Sequence, residues 1–210
     1  MTTTQDKNSQ AAITPGRALQ LLKEGNRRFM AGRGEERELM AQVNATRGGQ
    51  WPFAIILGCI DSRVPSELIF DEGIGAMFNA RVAGNFVNGD ILGSMEFACE
   101  LAGAKLVVVL GHTQCGAIKG ACDGVELGNL TGMLARLKPA VEGTSSPVEA
   151  AERTSANGLF VRDVTVRNVR MALSDIRERS EVLEALERSG AIRLIGALYD
   201  VETGSVEFLD

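Results

Sequence analysis

Apolar residues in this chain fall into a few uninterrupted short runs separated by longer amphipathic stretches. Residues 53–57 (FAIIL) and 106–110 (LVVVL) are the clearest runs. Continuous apolar segments of this length suit strands covered on both faces, as in a parallel sheet. Residues 76–82 and 192–198 read as two further strands, and 205–208 as an edge strand returning antiparallel after the turn-rich 200–204. Helical spacing appears from Thr14-Pro15 onward, where Thr is placed to cap and Pro to occupy the first turn, with Ala18, Leu21, Leu22, Gly25 and Phe29 on one stripe. A second helix is expected over 35–47, a third with Ile91, Leu92, Met95, Cys99 and Ala102 on one face, and a fourth over 127–137. Ser146 and Glu149 have capping-box spacing for a helical region running to Arg188 and broken at Asn157-Gly158. The pattern predicts an α/β fold: a mainly parallel sheet of four strands plus an antiparallel edge strand, flanked by helices, with an N-terminal helical arm.

The length of 210 residues fits one domain over 14–210, with 1–13 as a loose arm and 14–47 as a helical arm laid on a partner subunit. Aromatic residues are only 5%, so aliphatic side chains must fill the core. A net charge of −5 gives no footprint for nucleic acid. No run approaches the roughly 18 apolar residues of a membrane helix. The polar start, MTTTQDKNSQ, lacks the apolar core of a secretory signal, so a cytoplasmic protein is expected.

Four cysteines and one histidine narrow the chemistry further. Cys59 ends the first apolar run, in GCIDSR (58–63); His112 and Cys115 follow the third, in GHTQCG (111–116). All three therefore fall at carboxyl ends of strands, the edge where open α/β sheets bind ligands. Two thiolates and an imidazole form a zinc donor set of the type that leaves a fourth position open. Asp61 and Arg63 follow Cys59 closely enough to lie beside such a metal. A carboxylate paired with arginine is held ionised and oriented, and Asp61 could instead ligate the metal and close the site. Cys99 reads as a small core residue, and Cys122 as a spare thiol or an alternative ligand.

The Cys-x-Asp-x-Arg and His-x-x-Cys pair resembles the β-class carbonic anhydrases, and FNARVAGN (78–85) and 91–120 look like that family's following segments. The resemblance implies zinc, one per chain, held by Cys59, His112 and Cys115, with Asp61 and Arg63 as the catalytic pair. It implies reversible hydration of CO2 to bicarbonate and a proton by zinc-bound hydroxide. Gln50 and Phe78 match substrate-side residues of the plant-type branch, commonly supplied by the partner subunit, and Gly116 matches a glycine near the substrate. A homodimer or tetramer is implied. Arg81 and Tyr199 look like two members of an inhibitory bicarbonate site in another branch, but its Trp position is Ile56 here, which favours the branch without that inhibition. A CS2 or COS hydrolase on the same scaffold, and a structural zinc or redox-sensing protein, are the rival readings.

Overall fold

A computed structural model describes residues 4–209. Five strands form one sheet in the order β2-β1-β3-β4-β5: β1 (Ala54–Gly58), β2 (Met77–Arg81), β3 (Leu106–His112), β4 (Arg193–Tyr199) and β5 (Val206–Leu209). All neighbours run parallel except β4 and β5. Every residue of β1 and β3 is buried, which is what their continuous apolar runs demand of central strands. Their side chains alternate between two faces. Ala54, Ile56, Leu106, Val108 and Leu110 join one core cluster; Ile55, Leu57, Val107 and Val109 join the other.

Helices α1 (Lys7–Ala12), α2 (Pro15–Met30) and α3 (Leu39–Thr46) precede the sheet. Thr14 Oγ1 caps α2 by accepting from Arg17 N at 3.2 Å. Ala18 and Leu22 of α2 are fully buried in the first core cluster. At Gly25 a Cβ would stand 1.7 Å from the Phe70 carbonyl oxygen, so only glycine lets α2 cross the short helix α4 (Ser66–Ile69) this closely. The helix expected to lie on a partner thus buries Ala18, Leu22 and Gly25 of its stripe within its own chain, while Phe29 stays exposed. Apolar residues left exposed in this region are Phe29 and Met30 at the end of α2 and Leu39, Met40 and Val43 of α3.

The other core cluster is covered by α5 (Gly89–Glu96), α9 (Gly158–Arg179) and α10 (Glu181–Arg188). Between β3 and α9 lie α6 (Gly116–Cys122), α7 (Gly128–Leu134) and α8 (Lys138–Gly143). No helix is long and apolar enough to cross a membrane among the described residues.

Three expectations need correction. The segment 1–13 is not loose over its described part. Asp6 and Ser9 form a reciprocal capping box for α1, and buried Gln10 donates to the carbonyls of Pro52 (2.7 Å) and Ala102 (2.8 Å); residues 1–3 lie outside the described range. The single helix expected over 91–102 is α5 followed by a π turn, Phe97–Leu101, closed by Ala102 N donating to Phe97 O. Ser146 caps no α-helix. Arg153 instead donates to the carbonyls of Val141, Thr144 and Pro147, fixing that stretch as a loop, and only a 3₁₀ turn, Ala150–Glu152, follows. The long helix starts later, where Asn157 accepts from Phe160 N.

Candidate metal centre

The chain leaves β1 toward β2 on one side and leaves β3 toward β4 on the other. The crevice between the carboxyl ends of β1 and β3 is therefore the switch point of the sheet. Gly58 pairs with Leu110, so Cys59 emerges beside Gly111 and His112 one residue later. Gln114 then takes a left-handed backbone conformation (φ 57°), which turns the chain so that Cys115 caps the N-terminus of α6.

These turns bring Cys59, His112 and Cys115 together, all buried, with their donor atoms within 4.8 Å of one another. The two sulfurs are 4.0 Å apart. Thiolates on a tetrahedral zinc, at about 2.3 Å each, stand about 3.8 Å apart. His112 Nδ1 lies 2.9 Å from the Thr113 carbonyl, which can only accept. The proton is thereby fixed on Nδ1, leaving Nε2 with a free lone pair. That nitrogen is fully buried and has no hydrogen-bond partner. A buried acceptor without a partner is costly, and a metal ion between the two sulfurs and this nitrogen would satisfy it.

Electrostatics favour a negative site. Contact with Cys115, supported by the Gly84 N–H, holds the Cys59 thiol well below its ordinary range. The same contact, with burial, pushes Cys115 upward, so without metal the pair shares one proton. Arg63 grips Asp61 through Nε (3.0 Å) and a terminal nitrogen (2.8 Å), and its backbone N–H adds a third bond at 2.9 Å. These bonds hold the Asp61 carboxyl at about 2, below the usual carboxylate range. Asp61 Oδ2 is 3.9 Å from His112 Nε2, at the rim of the donor cluster. Arg63 also reaches the Gln114 carbonyl at 3.3 Å, tying the two halves of the site together.

Gly116 opens α6 with free space where a side chain would stand. Gln50 and Phe78 are not brought to the cluster within one chain. Gln50 is exposed and precedes β1, at the end of the strand opposite Cys59. Phe78 pairs with Ile55, three register positions (about 10 Å) before the carboxyl end of β1. Its ring packs edge-on against Phe97, centroids 6.1 Å apart. Cys99 and Cys122 stand outside the cluster; burial pushes their thiols up to about 12 and about 11.

Sequence reasoning did not assign the bonds that hold this site in place, and it read Arg81 and Tyr199 only as resembling part of an inhibitory bicarbonate site. Arg81 donates to the carbonyls of Cys59 (2.8 Å) and Asp61 (2.6 Å), so it is committed to the site backbone. Gly84 N donates to Cys59 Sγ at 3.4 Å. Thr113 presents the carbonyl that orients His112, and is itself anchored by Tyr199 O and Val201 N. Backbone acceptors and amides carry these bonds, so side-chain identity gives little sign of them.

A buried Cys-His-Cys set at the switch point of a mainly parallel sheet, with an arginine-held carboxylate at its rim, defines an α/β protein with a candidate metal site. The chain belongs to the β-carbonic anhydrase family, whose profile, described as carbonic anhydrase, matches residues 54–206. It is 34% identical to carbonic anhydrase 2 of Mycobacterium tuberculosis over 93% of both chains, and 30% identical to the carbonic anhydrase of Mycolicibacterium smegmatis over 92% of both. Among solved structures it resembles the β-carbonic anhydrase CafA of Aspergillus fumigatus, with 28% identity, a TM-score of 0.71, and coverage of 93% of this chain and 90% of that one. Its activity is the hydration of CO2, and the two rival readings are not favoured by these relatives.

Proposed function

We propose that Cys59, His112 and Cys115 hold one zinc ion per chain and that Asp61 and Arg63 form the catalytic pair for reversible CO2 hydration. The observation that carries this reading is the buried, unpartnered Nε2 of His112 facing two sulfurs. When bound, zinc supplies the Lewis acidity that generates hydroxide near neutral pH. Asp61 is acceptor-only and stays ionised throughout the neutral range, so it can take the hydrogen bond of the nucleophile's O–H and aim its lone pair at CO2. Arg63 holds that carboxylate from two directions and keeps it from swinging onto the donors. Open space over Gly116 leaves room for the substrate.

The same reading assigns Gln50 and Phe78 to the substrate side of a second copy's site. Both are remote from the cluster of their own chain. Phe78 lines an open groove of about 690 Å³ with Ile55, Ile91 and Phe97, and Phe97, Leu101 and the apolar residues of α3 are exposed. The related enzymes of Sordaria macrospora are described as tetrameric. A dimer or tetramer covers these surfaces and completes the site; a fully active monomer in analytical ultracentrifugation would overturn this part.

The test is stopped-flow CO2 hydration by zinc-quantified protein from about pH 6.5 to about pH 9. Activity rising with pH and abolished by Cys59→Ser is expected. A protein with one zinc per chain and no activity across that range refutes the assignment.

A further inference from the structure

We infer that Asn168 is a positioning residue of the metal centre, acting on Cys59 through Gly84. Asn168 lies on α9 and is 4% exposed. Its Nδ2 donates to the Gly84 carbonyl at 2.8 Å, and the Gly84 N–H donates to Cys59 Sγ at 3.4 Å. A two-bond chain thus runs from a rigid 22-residue helix to a sulfur of the donor set.

Gly84 needs such an anchor. Its φ is +79°, a left-handed conformation that favours glycine, and a Cβ there would stand 2.7 Å from a Leu137 methyl. Glycine is also the residue whose backbone is freest to turn. The direction of its N–H depends on what grips the residue from outside, and Asn168 is the side chain that hydrogen-bonds its carbonyl among the described residues. The rest of the buried α9 stripe near Asn168 is apolar or self-satisfied: Val164, Val169, and Thr165, whose hydroxyl donates to Val161 O of its own helix. A buried amide in that stripe is costly unless bonded, and here the bond it makes points at the site.

An N–H bond to a metal-bound thiolate orients the sulfur and tunes its donation; loss of such outer partners typically costs 10–100-fold in metal affinity or activity. The inference rests on the metal-centre reading, so wild-type protein is measured first. If it binds no zinc under chelator competition, that reading fails and this inference with it. With zinc binding established, Asn168→Leu, which removes the amide, and Asn168→Asp, which keeps the shape but removes the donor, are each expected to weaken zinc about 10–100-fold. They are also expected to shift the thiolate-to-metal absorption of the Co²⁺-substituted protein. Thr165→Val, three residues before Asn168 and outside the chain of bonds, should leave both readings unchanged. A folded Asn168 variant that binds zinc within about twofold of wild type, with an unchanged Co²⁺ band, overturns the inference. If neither variant folds by near-UV circular dichroism, hydrogen exchange of the wild-type Gly84 amide decides. Exchange at least about tenfold slower in the zinc-loaded than in the metal-free protein supports it; equal rates overturn it.

Discussion

Replacing Arg63 by glutamine separates the geometry of Asp61 from its charge. Two side-chain bonds to the carboxylate, at 3.0 and 2.8 Å, are lost, together with the 3.3 Å bond to the Gln114 carbonyl. Hydrogen bonds to charged groups contribute about 1.5–3 kcal/mol each, but the Arg63 side chain is 51% exposed, which pulls its worth toward the low end. A loss of about 2 kcal/mol of orientation in the transition state corresponds to about 30-fold in kcat/KM. Charge is not the cause. Arg63 depresses the Asp61 carboxyl from 3.8 to about 2; without it the carboxyl rises toward 3.8 and remains ionised at any pH of the assay. The released carboxylate, with Oδ2 only 3.9 Å from His112 Nε2, is also free to turn onto the metal and occupy the open position. Zinc content should therefore be unchanged or more tightly held while turnover falls. Stopped-flow hydration with zinc measured by atomic absorption on the same samples reads both quantities, and Arg63→Lys, able to make one bond, should fall between. Activity of Arg63→Gln within about twofold of wild type, or loss of zinc in step with activity, refutes the reasoning.

Cys122→Ser should keep one zinc per chain and full hydration activity, because Cys122 lies outside the donor cluster; loss of zinc in that variant would reassign the ligand set. With its one histidine buried in the donor cluster, the chain has no imidazole left to carry protons out, so the hydration rate at saturating CO2 should climb with buffer concentration. Rates equal at low and high buffer exclude this. Ile56→Ala empties a fully buried position in β1 and should cost about 2–5 kcal/mol in denaturant unfolding, with zinc stoichiometry preserved; an unchanged midpoint would show that the position collapses or is not core. Acid should spare the Asp61–Arg63 pair longer than other carboxylates. Its folded value is depressed, so its stabilising contribution is complete above about 3.8 and is lost only as pH falls toward about 2; a carboxylate signal for Asp61 titrating near 4 in the folded protein contradicts the bidentate geometry.

The strands were legible because burial on both faces writes itself as an unbroken apolar run, and 53–57 and 106–110 map onto β1 and β3 within two residues. Donors were legible because they stand where those runs end. What escaped the sequence depends on contacts between distant segments. The π turn at Phe97–Leu101 inserts into an otherwise helical pattern and leaves no residue type of its own. The loop at 144–153 exists because Arg153 takes three carbonyls, which defeats a local capping signal. Asn168 did carry a sign: it is a polar residue within the apolar stripe of Val161, Val164, Val169 and Ala172. Such an interruption marks a bond that the interior requires, although only the fold shows that the bond goes to Gly84.

The donor set also shows why this sheet, rather than the loops alone, defines the site. β3 pairs with β1 only as far as Leu110, but with β4 as far as His112, opposite Tyr199. The strand is therefore carried past the point where β1 has ended, and Tyr199 O then fixes Thr113 through its N–H at 2.9 Å. Cys59 is placed by one strand pairing and His112 by the next, while Cys115 is placed by the start of α6. A slip of one residue between β1 and β3 would carry Cys59 about 3.3 Å along the strand and turn its side chain to the other face. Such a slip would exchange Ala54, Ile55, Ile56 and Leu57 between two separately packed cores, so their different sizes and shapes oppose it. The fit of the aliphatic core thus supports the register, and the register supports the spacing of the sulfurs and the imidazole, so residues that never touch the donor cluster help to set its geometry.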